Sequence, residues 1–212
     1  MNWVDAVLIV LLLASVVVGS KKGLIRELMA FVIFFVAIIF SVNYIDNFAV
    51  WVYDKIGGSP LISAFLSFLI LLALSYAAFK LFGLMFYKVA NLKNNQRRDQ
   101  LGGALVGFLR GWVAVGFLTF LLFLLPLPER FYSEFENSFF GPAVAKTVPL
   151  MFEGTSRFHP SNADFMDQME RTLLGETISS DSKTGIMNDD RQQAYRVLYR
   201  LEKYFKTGLS ET

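Results

Sequence analysis

Few residues in this chain could do chemistry. The single histidine, His159, stands before Pro160 with no second imidazole to share a proton or a metal ion. Cysteine is absent, which removes disulfides, thiolate metal sites and thiol nucleophiles. Ser41, Ser67 and Ser75 lie in apolar stretches without a nearby Lys or His to activate a hydroxyl. Neither a metal-ligand cluster, nor a glycine loop cradling phosphate after a strand, nor a nucleophile with its base can be assembled. No metal, no other cofactor and no enzymatic activity are expected. A net charge of +2 is too small to suggest a nucleic-acid partner.

The informative side chains are instead charges set among apolar residues and glycines. In the stretch from Arg97 to Gly111, Asp99, Gly103, Gly107 and Gly111 recur every four residues and form one row on a helix. Arg110 projects between Asp99 and Gly103, so all five share an arc of about 120°. Small residues at this spacing let two helix backbones approach closely in lipid. Gly19 and Gly23 faintly echo the same spacing near the start of the chain. A charge inside a span costs at least about 2.5–3.5 kcal/mol at the bilayer centre unless it is paired or hydrated. Arg110 therefore has two outlets: its side chain snorkels to the basic face, or it pairs with an acid. Asp99 is about 16 Å away along the same helix and cannot be that acid. Glu27, at the start of the second apolar run, is the best-placed partner.

These residues imply helices long enough to carry them across a membrane. Hydrophobic residues make up 54 % of the chain, a value that decides nothing until their distribution is read. Between Trp3 and Leu127 charges come in short clusters between long apolar runs; beyond Pro128 the chain is ordinary polar protein. Runs at about 3–18, 28–45, 61–79 and 101–125 approach or exceed the roughly 17–25 residues that cross a hydrocarbon core. The fold class expected is all-α: a polytopic membrane protein with four transmembrane helices in residues 1–127. An interfacial segment and a polar helical tail follow in residues 128–212. A cleaved signal peptide is disfavoured for the first run, because Asp5 precedes it and Lys21 and Lys22 follow it. Buried helices of a soluble protein are disfavoured because the second and third runs show no polar face.

Lys and Arg in short connections favour the cytoplasm. Lys21, Lys22 and Arg26 occupy the first connection, and Lys88, Lys93, Arg97 and Arg98 the third. The second holds only Lys55 against Asp46 and Asp54. Both termini are thus expected outside the cytoplasm, with Trp3, Tyr44, Trp51 and Tyr53 in the outer aromatic belt and Tyr87 near the inner one.

Asp99-x-x-x-Gly103-x-x-x-Gly107-x-x-Arg110-Gly111 resembles the signature of the colicin V production protein family of bacterial inner-membrane proteins. Trp3-Val4-Asp5 and Gly23-Leu24-Ile25-Arg26-Glu27 are also similar to the family pattern, with a weaker echo in Ser138-x-x-x-Pro142. The resemblance covers about residues 1–145 and leaves the tail beyond Pro149 uncovered. It implies an inner-membrane accessory protein needed for production or release of a secreted peptide toxin, with a broader role in the envelope.

In the tail, Phe131, Tyr132, Phe135, Phe139, Phe140, Phe152 and Phe158 suggest an interfacial stretch lying on the outer leaflet or folding back over the bundle, which Pro142 and Pro149 keep from forming one long helix. Ser161-Asn162 could cap a short helix burying Phe165, Met166, Met169 and Leu173. Ser179 to Asp190 reads as a polar linker. The last segment places Tyr195, Leu198, Leu201, Tyr204 and Phe205 on one side, with Gly208 as its stop. Expected partners are the lipid bilayer and either a second copy of the chain or a membrane transport or envelope complex. Two functional classes stay open at this point: an accessory scaffold, and a small oligomeric transporter or channel with Arg110 and Asp99 lining its path.

Overall fold

A computed structural model describes residues 2–56, 59–87, 96–155, 164–174 and 186–206. Among these the chain is helical and contains no strand. Four helices are long and apolar enough to cross a membrane, with spans at Trp3–Lys22, Leu24–Lys55, Leu61–Leu81 and Asp99–Phe123. They belong to α1 (Trp3–Lys22), α2 (Leu24–Ile56), α3 (Pro60–Tyr87) and α4 (Gln96–Phe123).

Each helix is longer than its apolar run. The first is capped by Asn2, whose side chain accepts from the Val4 amide at 3.4 Å. It stops at Gly23, whose φ of +83° no other residue adopts cheaply, and α2 starts at the next residue. Helix α2 was expected to span 28–45 but continues to Ile56, a length of about 50 Å. No glycine or proline interrupts it before Gly57, and Ala49 and Val52 on its extension are buried. Pro60 occupies the first position of α3, where its missing N–H costs nothing.

Helix α4 is the hub. It packs against α1, α2 and three shorter helices of the tail. Helix α3 lies on the opposite flank of α2 and reaches α4 through Phe68, whose ring stands edge-on to Phe120 at 5.0 Å. The bundle is a partly open row in the order α1, α4, α2, α3. Its flanks carry Val10, Leu13, Leu74 and Leu101, each at least 60 % exposed, the kind of surface that a soluble protein would bury and lipid covers.

The tail folds against the far end of this row. Short helices α5 (Glu129–Glu136), α6 (Gly141–Ala145) and α7 (Thr147–Gly154) precede α8 (Phe165–Leu174) and α9 (Ile186–Phe205). Pro142 and Pro149 sit in the first turns of α6 and α7, where no intrahelical donor is lost. Phe165 and Phe205 pack their rings on Phe120 at 5.6 and 5.9 Å, so one apolar core runs from the spans into the tail. Helix α9 departs from its expected face: Ala194 and Val197 are buried with Leu201 and Phe205, whereas Tyr195 is 58 % exposed. It also begins at Ile186, so residues 186–190 are helix and not linker. Ser161, Asn162, His159 and Gly208 lie outside the described residues, as do Lys88 and Lys93.

Helix α9 is pinned to α5 by charge. Arg200 pairs with Glu129 and lies over the Tyr132 ring at 3.9 Å. The Lys203 ammonium donates to both oxygens of Glu136 at 3.0 Å, and the Tyr204 hydroxyl donates to the same carboxylate at 2.9 Å. These bonds from Lys203 and then Tyr204 hold the Glu136 carboxyl below its ordinary value, and the bond to Glu136 raises Lys203.

Candidate functional site

The residues singled out above converge on the seam between α1 and α4. Their glycines face one another in antiparallel order: Gly111 meets Ser15, Gly107 meets Ser15 and Gly19, and Gly103 meets Gly19 and Gly23. Each four-residue step along α4 is a four-residue step back along α1. A methyl group added at Gly19 would lie 2.7 Å from the Gly107 Cα and would also strike the Gly103 carbonyl. One added at Gly107 would lie 2.8 Å from the Ser15 carbonyl oxygen. The backbones are in direct contact, so glycine is needed here for space rather than flexibility. The Ser15 hydroxyl closes the seam by donating to the Gly107 carbonyl at 2.7 Å.

Asp99, one turn before Gly103, ends the row with a charge. Its Oδ1 accepts from the Leu24 amide at 2.9 Å, which supplies a first-turn donor of α2 with an anionic partner from another helix. The same carboxylate fills the space where a Gly23 side chain would be. Gly23 is thus required twice, by its left-handed φ and by the acid against it.

Glu27, one turn into α2, is wholly buried. Its Oε1 lies 2.9 Å from Arg110 Nε, and its Oε2 lies 3.8 Å from Lys22 Nζ. A buried carboxylate with one guanidinium and one ammonium joins α1, α2 and α4 at a single point. Arg26 is exposed on the neighbouring face of α2.

Asp5 does comparable work at the far end. It is 4 % exposed, and its two oxygens accept from the Phe139 and Phe140 amides at 3.2 and 3.1 Å. These amides belong to the turn between α5 and α6, which the Ser138 hydroxyl stabilises by donating to Phe135 and accepting from the Gly141 amide. The Asn2 side chain adds a bond to the Glu134 carbonyl.

Sequence reasoning did not find the second close approach on α4. A methyl group at Gly116 would lie 2.8 Å from Thr147 Cβ, and Trp112 Nε1 donates to the Thr147 hydroxyl at 3.0 Å. Gly116 and Trp112 are about 10 and 16 Å along α4 from Phe123. The α6–α7 joint therefore descends beside the span instead of resting across its end. Ser15 was also missed as a seam residue, although Ser15, Gly19 and Gly23 form a small-residue row of their own.

Chemically, the assembly binds the protein's own backbone and charges. Carboxylates meet amides, glycines meet carbonyls, and Arg110 meets Glu27. Among the described residues no three His, Asp or Glu side chains are grouped to hold a metal ion. Among the described residues, an open cavity of about 470 Å³ lies between the tail helices, bordered by Glu153, Asp167 and Tyr199, away from the seam.

Among known protein families, the model described as colicin V production protein matches residues 4–149. That stretch takes in the four spans, the seam and the Asp5 junction. No curated protein and no solved structure matches the chain.

Proposed function

This chain belongs to the colicin V production protein family, and from that premise we propose a non-catalytic accessory or scaffold protein of the bacterial inner membrane. Its service would be to the production or export of a secreted peptide toxin, and more generally to upkeep of the envelope. The observation that carries this reading is how Asp5, Glu27, Asp99 and Arg110 are used. Each meets another part of the same chain: two turn or helix amides, a salt bridge, and a helix start. A transport path would require such charges to face a route across the membrane; a scaffold requires them to hold its shape. In this reading the Lys21–Arg26 end faces the cytoplasm and both termini and the tail lie outside it, following the distribution of basic residues.

The test is isolation of the native complex in mild detergent and identification of what travels with it. A reproducible envelope or export component, lost when seam variants fail to assemble, is expected. Ion flux through the purified, reconstituted chain that disappears in Arg110→Ala would overturn the scaffold in favour of a small oligomeric transporter. Reporter fusions at Asn94 and Thr212 test the orientation separately; a cytoplasmic signal at Thr212 would refute it.

A further inference from the structure

The charge around Glu27 does not balance. Lys22 and Arg110 both lie against this one carboxylate, which leaves one positive charge in excess at the point where α1, α2 and α4 meet. Lys21 is exposed on the same joint. The Arg110 side chain is 19 % exposed and that of Lys22 46 % exposed, so both can be reached from outside the bundle. Arg110 makes its contact with Glu27 through Nε, and its guanidinium remains partly exposed.

Depth and surroundings narrow what could balance this charge. Lys22 and Glu27 stand just before the apolar run that starts at Leu28, at the level where hydrocarbon gives way to headgroups. Val17, Val18, Leu24, Ile25 and Leu28 are 37–50 % exposed beside them. An ion alone would leave these apolar side chains unmatched. A planar guanidinium fork is suited to phosphate oxygens, and basic sites at the ends of membrane helices bind anionic headgroups.

We propose that Arg110 and Lys22, flanking Glu27, form a binding site for the headgroup of an anionic phospholipid, with its acyl chains along the exposed apolar faces of α1 and α2. The lipid phosphate takes up the excess positive charge that Glu27 leaves. Glu27 thereby sets the strength of the site, because it competes with the phosphate for both cations. This requires only that the bundle lie in a bilayer, and it holds whichever partner the scaffold serves.

The test is native mass spectrometry of the purified full-length chain in mild detergent, titrated with dioleoyl phosphatidylglycerol or dioleoyl phosphatidylcholine. The anionic lipid should be retained at least about fivefold more strongly, the factor that one basic contact supplies. Lys22→Gln, at a half-exposed position that does not threaten folding, should remove about that factor. Glu27→Gln, measured at a temperature where its circular dichroism shows the bundle still folded, should instead raise retention by a similar factor, an effect that a purely structural ion pair does not produce. Arg200→Gln, on α9 at the far end, should change nothing. Equal retention of the two lipids, an unchanged preference in Lys22→Gln, or an equal loss in Arg200→Gln would overturn the site. Displacement of the lipid by inorganic phosphate at matched concentration would overturn the lipid assignment.

Discussion

Arg110 and Glu27 meet at 2.9 Å although they lie at different heights along their helices. The Leu24 amide and Asp99 tie α2 and α4 together near their starts. From that tie Glu27 is three residues on, about 4.5 Å, and Arg110 eleven residues on, about 16 Å. The Arg110 side chain must therefore run back toward the basic end to reach its partner. Snorkelling and ion pairing, alternatives at the level of sequence, are one conformation in the folded protein.

Removal of either partner strands the other. Glu27→Gln and Arg110→Gln should each destabilise the bundle by about 3–5 kcal/mol, and the double variant by clearly less than their sum. Unfolding of the purified protein in detergent measures the cycle. Additive losses would show that the two side chains do not act as a pair.

Bulk at the seam should be worse than loss of charge at the surface. Gly107→Val and Gly19→Val place side-chain atoms against backbone, and each should cost at least about 1–3 kcal/mol in the same assay. Ser15→Cys combined with Gly111→Cys should give a crosslink within one chain. A crosslink found solely between two copies would mean that α1 and α4 exchange partners between molecules.

The Gly23 joint separates two causes that are usually entangled. Asp99→Ala removes the cap on α2 and should cost about 1 kcal/mol. Gly23→Ala, in either background, retains the strain of a positive φ. Restoring space through Asp99→Ala should therefore rescue Gly23→Ala only in part. Full rescue, measured by thermal unfolding, would show that crowding alone makes glycine necessary.

The docking of α9 on α5 should depend on pH only at the extremes. Lys203 and Tyr204 depress the Glu136 carboxyl below its ordinary 4.5, so its contribution is complete above that value and is lost as pH falls through the depressed one. Lys203 is raised above its ordinary 10.5, so its contribution is complete below that value and fades as pH rises through the raised one. Hydrogen exchange of α9 amides should thus report unchanged docking between about pH 5 and about pH 10. Glu136→Gln should abolish the loosening on the acid side.

What could be read in advance was set by local periodicity and by charge cost. Apolar length located the four spans, and the row Asp99, Gly103, Gly107, Gly111 announced a close helix contact. The expense of a charge such as Arg110 within a span pointed to Glu27. Less legible was anything decided by a partner distant in the chain. Nothing around Asp5 says that its carboxylate will meet amides about 135 residues later. Gly116 lacked a repeating neighbour, and Thr147 carries no signal that it will lie beside Trp112. Tyr195 obeys helical spacing, yet Ala194 and Val197 take the inward positions because α9 is rotated by its anchors to α5.

The central place of α4 has a consequence for how the protein is made. Helix α1 is made before α4, and the surface that α1 fits best is this fourth span, more than seventy residues later. The Ser15–Gly19–Gly23 groove of α1 is made before the α4 glycines that fill it. The contact between α1 and α4 can therefore form only after α2 and α3 have been made, and the tail docks on α4 later still.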